Sequence, residues 1–262
     1  MIRPQPKPLF PRPNSERLPE RKAVTFIVGL KCTDGLVLCS DSSETDGWTK
    51  KNVQKIFWHE KPKKWGIAFG CSGSAASCSN FGDRLLDQLR AERKFNRRTM
   101  EKTIEAHIDY MGKEYPDERL QVILSLYSTN PRETRLYKAE TGAQCLAVHS
   151  DYACAGMDVS LARFFLDSVF TGADYVTVND GMYLGAFVTN IMKEKADGVG
   201  GPTQILVYQT NSKQWLIPMP EMLAKIDKGG FIKGSFKFAD LEKSVRQFCW
   251  SRFPHEFRPP RD

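Results

Sequence analysis

The 262-residue chain has no run approaching the roughly 20 apolar residues of a membrane-spanning helix. Its opening residues, Met1-Ile2-Arg3-Pro4-Gln5-Pro6-Lys7-Pro8, carry too many prolines and cations for the apolar centre of a secretory signal. Both absences lead us to expect a soluble, intracellular and cytoplasmic protein. Cys-x-x-Cys is missing, and His59, His107, His149 and His255 never pair at metal-ligand spacing, which argues against zinc. The seven cysteines (Cys32, Cys39, Cys71, Cys78, Cys145, Cys154 and Cys249) are odd in number, scattered and mostly set in apolar runs. That usage suits reduced core thiols better than a disulfide framework. No Gly-x-Gly-x-x-Gly follows a strand-like run, and Gly198-Val199-Gly200-Gly201 lacks the Lys-Ser/Thr ending of a phosphate loop.

What is present begins with charge, a formal net +7. Residues 1 to 24 hold six cations against Glu16 and Glu20, a net +4, so their removal would leave +3. More than half of the excess therefore sits in a proline-rich lead that cannot bury enough apolar surface to order itself. Aromatic and glycine patterning of a single-strand platform is lacking, which argues against nucleic-acid binding.

From residue 25 onward the chain alternates between two periodicities. Period-two apolar runs predict strands near 25–32, 35–40, 53–58 and 65–71, with a turn at Asp34-Gly35. Apolar residues at three- and four-residue steps then predict helices near 75–93 (Phe81, Leu85, Leu86, Leu89) and 98–114 (Met100, Ile104, Ile108, Met111). Strands resume near 120–127, 134–138, 144–149 and 152–155. Helices follow near 158–170 and 179–196, the second capped by Asn179 or Asp180, then strands near 204–209 and 214–218. Helices grouped in pairs between runs of antiparallel strands predict two stacked sheets with a helical layer outside each, an α+β four-layer αββα sandwich. We divide the chain into a tail or propeptide over 1–24, a domain over 25–219, and an extension over 220–262 with a helix near 239–250.

Four local motifs in this element order resemble the proteasome subunit branch of the N-terminal nucleophile hydrolases. Thr25 heads the first strand at the family's nucleophile position, and Asp41 closes the second strand at the family's aspartate. Lys55 in Val53-Gln54-Lys55-Ile56 matches the family's lysine, and Gly73 in Cys71-Ser72-Gly73-Ser74 matches its oxyanion glycine. Asp197, ahead of Gly198-Val199-Gly200-Gly201, matches its late aspartate. Taken singly each has a plainer reading: a strand threonine, a turn aspartate, a solvated lysine, a tight bend. Their joint occurrence in order carries the resemblance.

The resemblance implies that Thr25, once freed as the first residue, attacks a peptide bond with its own α-amine as base. Lys55 would lower the pKa of both groups, Asp41 would hold Lys55, and the Gly73 N–H would stabilise the oxyanion. It also implies a homo-oligomeric ring, peptide or unfolded protein as substrate, and room for an ATPase partner, with neither metal nor organic cofactor. Several residues depart from the family pattern. Val24 stands where glycine usually precedes the nucleophile, Phe26 follows it, and Met157 replaces a serine unless Ser160 or Asp158 takes its place. Two alternatives therefore stay open, a non-catalytic ring-forming scaffold or gate, and a small-molecule amide hydrolase. The thiols Cys71 and Cys78 and the aromatics Phe57 and Trp58 are read as packing residues, and His107 as a satisfied residue on a helix stripe.

Overall fold

In the computed structural model, which describes residues 25–46, 49–91, 96–143, 146–170 and 176–218, the chain opens on the expected hairpin. Strands β1 (Phe26–Cys32) and β2 (Gly35–Ser40) pair antiparallel from Ile27 opposite Ser40 to Cys32 opposite Gly35. A short hairpin of β3 (Ser43–Asp46) and β4 (Thr49–Asn52) follows, which the sequence pattern does not announce. All four β4 residues are exposed, so no apolar alternation marks it. The strand expected from residue 53 starts instead at Ile56, as β5 (Ile56–Lys61), and Lys55 lies in the loop before it.

Next come β6 (Trp65–Ser72), helices α1 (Ala75–Ala91) and α2 (Arg97–Glu114), and strands β7 (Gln121–Thr129), β8 (Arg132–Glu140), β9 (Ala147–His149) and β10 (Tyr152–Gly156). The pattern closes with α3 (Val159–Phe170), α4 (Val178–Lys195), β11 (Gln204–Gln209) and β12 (Gln214–Leu216). The α4 cap is Thr177, whose side chain exchanges hydrogen bonds with Asp180 in a capping box, rather than Asn179 or Asp180. The tail over 1–24 and the helix expected near 239–250 lie outside the described residues.

Ten strands form two five-stranded antiparallel sheets, ordered β10-β1-β2-β11-β12 and β5-β6-β7-β8-β9. Alternation along each strand sends one set of side chains between the sheets and the other outward. Ile27, Leu36, Leu38 and Leu206 of the first sheet meet Ala68, Ile123 and Leu136 of the second in the inner core. Tyr127 stacks on Tyr208 at 4.0 Å at one end of it. Outward residues of the second sheet pack under Phe81, Leu85, Ile104 and Ile108 of α1 and α2. Those of the first sheet pack under Phe165, Leu166, Ala186 and Val188 of α3 and α4. This is the αββα sandwich that the paired helices implied. It places the start of β1, the end of β2, the start of β5 and the end of β6 around one end of the inner core.

Candidate active site

Thr25 sits just ahead of β1 and is 6% exposed. Its carbonyl accepts the Met157 N–H at 3.3 Å, which ties it to the end of β10. That close approach requires Gly156, which pairs with Phe26 and holds φ +114°, because a Cβ there would fall 1.8 Å from the Thr25 oxygen.

The Thr25 hydroxyl meets the Lys55 ammonium, with Nζ 3.1 Å from Oγ1. Lys55 is 8% exposed and bonds both Asp41 oxygens at 3.0 Å. Such a buried ion pair is tolerable only when its remaining lone pairs find donors, and Asp41 finds three. Its Oδ1 accepts the Phe26 N–H at 3.0 Å, while Oδ2 accepts those of Ser43 at 3.2 Å and Gly200 at 3.1 Å. One carboxylate thus joins the nucleophile strand, the turn into β3, the loop before β11 and the lysine. Burial pushes the Lys55 ammonium below the usual lysine range, and the charge and hydrogen bonds of Asp41 only partly offset this.

Gly73 follows β6 and directly precedes Ser74, whose Oγ accepts the Ser77 N–H at 3.1 Å and so caps α1. Ser74 Oγ also donates to Glu118 Oε2 at 2.5 Å, anchoring this loop. The Gly73 N–H therefore lies at a helix N-terminus, where the backbone dipole favours negative charge.

Asp197 is not drawn into this cluster. It is exposed in the turn after α4, and its loop reaches the site through backbone instead: the Gly200 N–H to Asp41, and the Gly200 carbonyl to the Ser42 and Ser43 N–H groups at 3.0 and 2.9 Å. Asp158 and Ser160, considered as substitutes for the missing serine, are both exposed at the start of α3.

Two glutamines outside any motif join the site. Gln121 Oε1 on β7 accepts the Gly156 N–H at 3.1 Å, reaching from one sheet to the other. Gln204 on β11 holds the backbone around Lys55. No amide motif exists to find them; the signal was only two polar residues opening apolar strands.

Cys71, the thiol in the Gly73 motif, gives no competing nucleophile. Cys71 is buried and its thiol is pushed well above the usual cysteine range by burial, then by its hydrogen bond to Cys78. His107 is half-buried, its Nε2 lying 2.9 Å from Gln88 Oε1. Among the described residues no three His, Cys, Asp or Glu side chains gather as metal ligands would. Nor is any helix of the described residues long and apolar enough to cross a membrane.

Solved structures of similar shape include Anbu from Hyphomicrobium sp. strain MC1 as a Gly-1 mutant (TM-score 0.68, 13% identity, 90% of this chain and 100% of that one covered). Anbu from Yersinia bercovieri, described as an ancestral beta-subunit, matches at TM-score 0.65 and 13% identity over 89% of this chain and 100% of its own. The helical assembly of the Anbu complex from Pseudomonas aeruginosa matches at TM-score 0.65 and 12% identity, over 90% of this chain and 98% of its own. At such identity the likeness is one of fold. A search of curated protein sequences finds no match. The family model described as proteasome subunit matches residues 22–200, well over half of the chain, and with the αββα sandwich it shows that the chain belongs to the proteasome subunit family.

Proposed function

We propose that this proteasome-family subunit is a threonine peptidase, cleaving peptide bonds in peptides or unfolded proteins with Thr25 after loss of the residues before it. The observation that carries the reading is the Lys55 ammonium 3.1 Å from the Thr25 hydroxyl, held by both oxygens of a buried aspartate. A threonine hydroxyl near neutral pH needs a base in reach and a positive charge that keeps that base neutral. Freed of Val24, the Thr25 nitrogen becomes an amine three bonds from the hydroxyl of the same residue, and the adjacent ammonium lowers its affinity for a proton.

In the reaction, the amine takes the proton as Oγ1 bonds to the scissile carbonyl carbon. The carbonyl oxygen becomes an oxyanion, and the Gly73 N–H stabilises it. The amine then returns its proton to the leaving nitrogen, and an ester links Thr25 to the acyl half. Water, losing a proton to the same amine, attacks the ester and regenerates the hydroxyl.

A second reading, a non-catalytic ring subunit, is favoured by Val24 at the junction and Met157 in place of a hydroxyl. Intact-mass analysis of the purified full chain separates the two. A species beginning at Thr25, together with hydrolysis of fluorogenic peptides that falls at least about 10³-fold in Thr25→Ala, supports the peptidase. A full-length chain in an assembled particle with no such activity supports the scaffold. Hydrolysis of small acyl-amides without any of peptides would favour the small-molecule amidase.

A further inference from the structure

Residues 53–55 lie between β4 and β5 outside any strand, so no sheet ladder holds the backbone that presents Lys55. The Val53 N–H bonds the Ser42 carbonyl at 2.8 Å and Gln54 Nε2, within the loop itself, donates to the Ile56 carbonyl at 2.8 Å, while the side-chain support from across the fold comes from Gln204. Its Oε1 accepts the N–H groups of Lys55 at 2.8 Å and Ile56 at 3.3 Å, while its Nε2 donates to the Val53 carbonyl at 2.5 Å. Gln204 opens β11 in the first sheet, opposite Ser40, and β5 belongs to the second.

We propose that Gln204 is the positioning residue of this site, a neutral amide that reaches from one sheet to the other and fixes the lysine-bearing loop so that the ammonium lands on the Thr25 hydroxyl. The proposal rests on reading Lys55 as the cation that serves Thr25. Amide chemistry is specifically required. Two N–H groups ask for an oxygen and one carbonyl asks for a donor, so the side chain has one satisfying orientation. A carboxylate would set an oxygen against the Val53 carbonyl, and an apolar side chain would leave the partly buried groups without a partner. The charged or titratable groups facing the ammonium are Asp41 after β2, Glu44 on β3 and Cys78 on α1. Gln204 adds no charge of its own, so its effect comes through position.

The test uses the full-length protein with Gln204→Met, equal in length but without hydrogen bonds. Lys55 is titrated by pH-dependent acetylation with acetic anhydride, read by mass spectrometry of its peptide, which requires no peptidase activity. With the clamp gone the ammonium gains water, and its labelling midpoint rises toward the ordinary lysine value. An unchanged midpoint overturns the proposal. Should Gln204→Met not fold, Gln204→Asn, which keeps the amide and loses the reach, is read the same way.

In the peptidase assay Gln204→Met lowers kcat by roughly 10- to 100-fold with KM within about twofold, since misplacing a catalytic group by an ångström is that costly. Gln204→Glu adds a second readout. Its neutral acid form offers a C=O to the two N–H groups and an O–H to Val53, so its kcat relative to wild type recovers as pH falls; no recovery counts against the clamp. If the wild type shows no Thr25-dependent hydrolysis yet the labelling midpoint shifts, the peptidase reading falls and the clamp stands.

Discussion

At the scale of single residues, the site rests on a buried charge pair whose members cannot be removed separately. Lys55→Met leaves Asp41 ionised among backbone donors without its counter-charge, and breaking one side of such a pair costs about 3–5 kcal/mol. Urea denaturation of Lys55→Met checks this. The pH dependence has a definite sign. Because burial lowers the Lys55 pKa in the fold, the unfolded chain holds more protons between that lowered value and the ordinary lysine value of 10.5. Wild-type stability relative to Lys55→Met therefore rises with pH across that window, and a flat or falling difference contradicts the assignment. The proposed mechanism needs the ammonium charged and the Thr25 amine neutral, so its activity is expected to follow a bell whose alkaline limb lies below pH 10.5. That Thr25, Asp41 and Lys55 meet was foreseen only through their joint occurrence in the family's order, because each taken singly reads as a strand, turn or solvated residue. Gln204 and Gln121 were not, because an amide's role depends on what it faces across the sheets.

At the scale of elements, helices α1 and α2 and the β1–β2 hairpin were readable to within a residue or two, since an apolar stripe or an Asp-Gly turn writes its own boundaries. The β3–β4 hairpin was invisible because its strands, Ser43–Asp46 and Thr49–Asn52, contain no apolar residue and so carry no hydrophobic period. The α4 cap was misplaced by two or three residues because Thr177, Asn179 and Asp180 are all good capping types, and the box geometry chooses among them. The junction of β1 with β10 is the element most exposed to test. Gly156→Ala forces a Cβ into the Thr25 carbonyl at a positive φ, so we expect a loss of about 1–3 kcal/mol of stability. Thr25 shifts with it, so peptide hydrolysis falls by more than the loss of folded protein explains. Calorimetry beside peptide hydrolysis separates the two effects.

At the scale of the molecule, grouped helix pairs were enough to foresee the four layers, because antiparallel sheets bury one face on each other and need helices over the other. Which loops would converge was less legible, since that depends on how the sheets cross. The resemblance to proteasome subunits implies a homo-oligomeric ring, and we propose one here: light scattering on the purified full chain is expected to give a mass several times the 29.8 kDa of one copy. A monomer at micromolar concentration would remove it. Thr25 and Asp41 flank strands of one sheet and Lys55 and Gly73 flank strands of the other, which has a bearing on synthesis. In chain order residues 25–73 precede β10 and β11, the strands that flank β1 and β2 in their sheet. Until the last quarter of the domain has been made, the Asp41 carboxylate therefore lacks the Gly200 N–H and the Lys55 loop lacks the Gln204 amide.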